Sequence, residues 1–92
     1  MATSTSLPFR TDRLVPPGEV LVEELEARAM IQTALAKSMG RPLQVVNGIV
    51  AQRKAVTAET ALQLEKVLSI PAEFWMNLEM MYQLGKARAK AS

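Results

Sequence analysis

The sequence contains no cysteine and no histidine. Without cysteine there is no disulfide, no thiolate nucleophile and no cysteine-based zinc site. Without histidine the usual general base and the commonest metal ligand are both missing. Ser-His-Asp and Cys-His catalysis are therefore excluded. No apolar run approaches the ~18 residues that a membrane span needs. There is no N-terminal apolar stretch of secretory type. A phosphate-cradling glycine loop, an internal repeat and a heptad array are absent too. Carboxylates are then the main acid/base candidates, and Glu19, Glu23 and Glu24 read as a solvated acidic face rather than a catalytic pair. The methionines Met30, Met39, Met76, Met80 and Met81 read as core filler rather than metal ligands. These absences imply a protein without catalytic residues, metal or cofactor, a cytoplasmic binding domain rather than an enzyme.

The chain has 92 residues, of which 49% are hydrophobic. That is one domain with one modest core. The net charge of +2 says little; its distribution says more. Residues 1–30 carry Arg10, Arg13 and Arg28 against Asp12, Glu19, Glu23, Glu24 and Glu26. Residues 31–55 carry Lys37, Arg41, Arg53 and Lys54 with no acid at all. Residues 56–85 are acidic again, and Lys86, Arg88 and Lys90 follow. A basic stretch between two acidic ones is a plausible electrostatic footprint for a polyanion.

Five helices are expected. Residues 1–14, rich in Ser and Thr, read as a flexible tail. Pro16-Pro17-Gly18 opens a helix over about 17–29, with Leu21, Leu25 and Ala29 on one face and acids in its first half. A short second helix spans about 32–38 and stops at Gly40. Pro42 opens a third, in which Val45 or Val46, Ile49 and Val50 form a buried stripe and Gly48 dissents. Arg53 to Val56 reads as a loop. Thr57 caps a fourth helix over about 58–68. Pro71 starts a fifth, for which Gly85 is the candidate stop, leaving residues 86–92 as a basic tail. The fifth helix is apolar around much of its circumference. Phe74, Leu78, Met81 and Tyr82 share a face, while Trp75, Met76 and Met80 point elsewhere. Such a helix needs burial on more than one side, and a second copy of the chain is the simplest cover.

Two short helices joined by a tight turn suit a DNA-binding helix-turn-helix. Counting from Gln32, the motif needs a small residue at the fifth place and a residue tolerant of positive φ at the ninth; Ala36 and Gly40 stand there. It needs branched apolar residues at the fifteenth and eighteenth, and Val46 and Ile49 stand there. Leu35 and Met39 fill two further apolar places. An ordinary αα-hairpin meets the apolar demands as well, so the Ala36–Gly40 pair and the coincident basic stretch carry the distinction. In this motif the second helix enters the major groove. Leu43, Gln44, Asn47 and Gly48 would then meet bases, with Gln and Asn suited to adenine and Leu43 to a thymine methyl. Gln32 would bond a phosphate; Lys37, Arg41, Arg53 and Lys54 would neutralise others.

From Pro17 to about Leu84 the chain resembles HigA-type antitoxins of the lambda-repressor-like helix-turn-helix superfamily. The likeness runs through Pro17-Gly18-Glu19-Val20-Leu21, Gln32, Ala34-Leu35-Ala36-Lys37, Gly40 and Asn47 with Ile49-Val50. Its most specific strings are Thr57-Ala58-Glu59-Thr60-Ala61-Leu62 and Glu73-Phe74-Trp75-Met76-Asn77-Leu78. The resemblance implies an all-α, five-helix domain over residues 15–85 that dimerises through its C-terminal helix, with Phe74, Trp75, Leu78 and Tyr82 as interface. It implies double-stranded operator DNA upstream of its own operon as one partner and a small RelE-like ribonuclease toxin as another. Four departures stand out. Ile31 occupies a place where members usually carry a capping Ser or Thr. The third helix opens on Leu43-Gln44-Val45 rather than on polar residues, Gly48 replaces an acid, and Gln52 or Ala55 stands where a glycine is common. Two other readings remain: a stand-alone regulator, and an interaction module that has lost operator reading.

Overall fold

The computed structural model describes residues 14–91. They form five helices: α1 (Pro17–Ala27), α2 (Gln32–Met39), α3 (Leu43–Val50), α4 (Ala58–Leu68) and α5 (Ala72–Ala91). The architecture is all-α, with no strand among the described residues. Of the expected tail over residues 1–14, all but Leu14 lies outside the described residues.

The apolar stripes converge on one core. Leu21 and Leu25 come from α1, Leu35, Ala36 and Met39 from α2, Val46 and Ile49 from α3, and Ala61, Leu64 and Leu68 from α4. Val56 and Trp75 complete it. Helix α2 packs on α3 and α4, α1 packs on α3 and α5, and α4 packs on α5. The small Ala36, 3% exposed, lets α2 and α3 approach closely. Gly18 does the same at the start of α1: a Cβ there would collide with the carbonyl of Ile49. That glycine is a packing requirement as well as the punctuation its position suggested.

The helix ends explain the boundaries. Helix α1 stops at Ala27, two residues short of expectation, because Ala29 takes a left-handed φ of 53°. Arg28 then donates from Nη2 to Leu68 O at 2.8 Å, satisfying a carbonyl at the end of α4. Helix α2 runs one residue further than expected and ends on Gly40, whose φ of 69° favours a glycine. Ile31 at its N-cap makes no side-chain cap bond. Pro42 precedes α3 as its N-cap instead of being its first residue. Thr57 Oγ1 accepts from Thr60 N–H at 3.2 Å and caps α4 as expected. Helix α5 starts with Ala72 N–H bonded to Glu65 Oε2 at 3.2 Å.

The largest departure is the length of α5. Gly85 does not stop it; the helix continues to Ala91 and absorbs the expected basic tail. A glycine inside a helix costs about 1 kcal/mol. Leu14 fills the space a side chain would take at Gly85. Beyond it, alternating alanines with Lys86, Arg88 and Lys90 favour the helix and complement the negative end of its dipole.

Candidate nucleic-acid interface

Helix α3 is divided cleanly between a buried and an open side. Val46 and Ile49 enter the core, whereas Leu43, Gln44 and Asn47 are exposed. Asn47 is fixed by the helix before it: its Nδ2 donates to Gln32 Oε1 at 3.0 Å. The bond spans α2 and α3, lies exposed to solvent, and does not use Asn47 Oδ1 or Gln32 Nε2. Residues fifteen apart in sequence thus form one polar unit at the edge of the open face, with Gln44 one turn before Asn47 on α3. A pre-set rotamer loses less entropy on binding.

The remaining sequence candidates divide. Arg53 and Lys54 stand exposed on the loop after α3, and both backbone N–H groups donate to Gly48 O, at 2.8 and 3.0 Å. Their position is therefore tied to the end of α3. Arg41 turns the other way. It donates to Gln63 Oε1 at 2.9 Å and lies 3.9 Å from Glu59 on α4. Glu59 is 74% exposed, so the pair is weak, but Arg41 is oriented by α4. Lys37 is exposed. It lies five residues after Gln32, about 140° around α2, and so leaves the face that Gln32 occupies. Gly48 needs correction. It is buried, not open to a groove, because the Lys54 stem lies across it; a Cβ there would come within 2.6 Å of Lys54 Cδ. The missing side chain makes room for Lys54.

The expected interface on α5 is also redistributed. Trp75 is 0% exposed and belongs to the protomer's own core. Leu78 packs against that core. Tyr82 turns toward the loop after α3, where its hydroxyl donates to Gln52 Oε1 at 3.4 Å. Of those four, Phe74 remains an exposed apolar side chain. The open apolar side of α5 is instead built by Met76, Met80, Met81 and Leu84, all exposed. They are not core filler. Met30 and Met39 are buried or half-buried.

One functional-looking residue was invisible in the pattern. Glu79, which the sequence shows only as part of the acidic stretch over 56–85, is 8% exposed. Its Oε1 accepts from Val56 N–H at 2.8 Å and its Oε2 from Gln83 Nε2 at 2.6 Å. It holds the loop between α3 and α4 onto α5. Among the described residues no group of His, Cys, Asp and Glu could hold a metal ion, and no helix is long and apolar enough to cross a membrane.

Comparisons with known proteins agree with this geometry. No family model matches the chain. Virulence-associated protein I of Dichelobacter nodosus is 35% identical over 74 residues, which is 79% of this chain and 68% of that protein. An addiction module antidote protein of the HigA family from Coxiella burnetii superposes with a TM-score of 0.82 at 38% identity, covering 86% of this chain and 87% of that one. The Pseudomonas aeruginosa antitoxin HigA, solved with the higBA promoter, gives a TM-score of 0.82 at 34% identity over 85% and 86% of the two chains. With these identities and coverage, the helix-turn-helix of α2 and α3 is that of an antitoxin, and the chain belongs to the HigA family.

Proposed function

We propose that this chain is a dimeric antitoxin that binds operator DNA through α3, represses its own operon and silences a RelE-like ribonuclease toxin. The observation that carries the DNA reading is the Asn47–Gln32 bond beside exposed Gln44. It fixes an exposed amide side chain on the helix that such motifs place in the major groove. The Pseudomonas aeruginosa relative solved with its promoter supports the same use of the fold. Gln44 and Asn47 are the base-reading residues, with Leu43 beside them for a thymine methyl. Arg53 and Lys54 neutralise phosphates and fix the register. Helix α5 supplies the dimer contact, through Met76, Met80, Met81 and Leu84 together with Phe74, an exposed apolar surface of the kind that marks an interface. No part of this role calls for catalysis, and its place is the cytoplasm, beside the DNA.

The test is fluorescence anisotropy on the DNA upstream of the chain's own reading frame and on scrambled DNA, over a salt series. Binding that prefers the upstream fragment and weakens steeply with salt is expected. Equal affinity for both fragments would leave an interaction module, a reading that the apolar Leu43 at the start of α3 favours. For the toxin, the decisive observation is an adjacent reading frame encoding a small basic protein that co-purifies with this chain; its absence would leave a stand-alone regulator.

A further inference from the structure

A pocket of about 240 Å³ opens where the loop after α3 meets the second half of α5. Three cations line it: Arg53 and Lys54 from the loop, and Lys86 from α5. Lys86 is held toward the loop. Its Nζ lies 4.5 Å from the centroid of the Tyr82 ring, and the Tyr82 hydroxyl is bonded to Gln52 at the loop's start. None of the three cations is ion-paired with a carboxylate among the described residues. Glu79 also reaches the wall, but both of its oxygens accept hydrogen bonds, from Val56 N–H and Gln83. The lining therefore carries more positive charge than negative, and among the described residues no carboxylate neutralises its three cations.

The position of the pocket says which anion. The loop is tied to the C-terminal half of α3 through Gly48 O, so the pocket keeps a fixed place relative to that helix. A negative group held there in register with a base-reading helix is a DNA backbone phosphate. We propose that this pocket is a phosphate site for the operator strand beside the groove, and that Lys86, on the last helix, is its third cation. The proposal rests on the reading of α3 as the DNA-reading helix. It places a DNA contact on α5, outside the helix-turn-helix, and makes Tyr82 the residue that positions it through a cation–π contact.

The experiment measures affinity by anisotropy for the upstream and scrambled fragments between about 50 and 200 mM salt. It compares the wild-type chain with Lys86→Gln, Lys86→Arg and Lys66→Gln, the last removing a lysine on α4 that does not line the pocket. Each phosphate neutralised contributes about 0.9 to the slope of log affinity against log salt. Lys86→Gln is expected to weaken binding to both fragments by the same several-fold factor and to lower the slope by about 0.9. Lys86→Arg keeps the wild-type slope, and so does Lys66→Gln. Melting curves check that each variant is folded. If the wild type prefers its upstream DNA and Lys86→Gln keeps the full slope, the pocket is not a phosphate site while the reading of α3 stands. Equal slope losses in Lys86→Gln and Lys66→Gln also overturn the pocket, since the effect would be net charge alone. No binding by the wild type overturns both.

Discussion

Single residues decide more here than composition suggests. Gly18 is the clearest case. Any side chain there meets the Ile49 carbonyl, which is backbone and cannot swing aside. Gly18→Ala is expected to destabilise the fold by about 1–3 kcal/mol, the usual cost of overpacking, read as a lower denaturant midpoint. An unchanged midpoint would mean α1 is free to shift away from α3. Glu79 is the second case. Glu79→Ala strands the Val56 N–H in a buried place, and about 1–3 kcal/mol is the expected loss; Glu79→Gln retains an acceptor and loses less. Chemical denaturation of the two variants side by side separates a lost hydrogen bond from lost charge. Neither role was legible in the sequence. Gly18 sits in a Pro-Pro-Gly string that already reads as a boundary, and Glu79 is one acid among several in the stretch over 56–85. Both acts depend on a partner far along the chain, Ile49 for one and Val56 for the other, and no local pattern names a distant backbone atom.

At the scale of helices, period and punctuation carried most of the assignment. The start of α4 is Thr57, a residue that caps because its hydroxyl accepts from Thr60 N–H. Thr57→Ala should cost about 0.5–2 kcal/mol, and a thermal melt reads it directly. The end of α1 shows the opposite. Ala29 sits at a φ of 53° that a glycine takes at no steric cost. Ala29→Gly is expected to raise stability by about 0.5–1 kcal/mol despite the looser unfolded chain; a loss would show that the left-handed turn relaxes in solution. Gln52, one of the two places where the resemblance implies a glycine, stands in that same left-handed region with a φ of 64°. Its side chain accepts from Tyr82, a contact glycine does not provide. The α2–α3 pair was readable because its demands are local: Ala36 at the crossing, Gly40 in the turn, Val46 and Ile49 inward. The inward side of α5 was not readable. Phe74, Trp75, Met76, Leu78, Met80 and Met81 surround the helix, so no hydrophobic phase distinguishes core from open surface. Packing against α4 and α1 selects Trp75 and leaves the methionines outside.

The described residues measure 44 × 29 × 19 Å. Helix α5 is the longest element among them; its 20 residues span roughly 30 Å. One side of that helix closes the core, and the other presents Met76, Met80, Met81 and Leu84. A second copy covers this side in the proposed dimer. Met80→Glu would place a charge in it, and sedimentation at micromolar concentration should then show monomers where the wild type shows dimers. Dimers in both would move the interface elsewhere. Dimerisation matters for DNA because two reading helices span two half-sites, and a monomer loses that doubling.

The central claim is that α3 reads bases through Gln44 and Asn47. The ratio of affinities for upstream and scrambled DNA, measured at one salt concentration, tests it in wild type, Gln44→Ala and Asn47→Ala. Each substitution should reduce the ratio by about 1–3 kcal/mol, roughly fivefold or more, while binding to scrambled DNA stays near the wild-type value. A wild-type ratio well above one that survives both substitutions unchanged would contradict the assignment and place sequence reading on another surface.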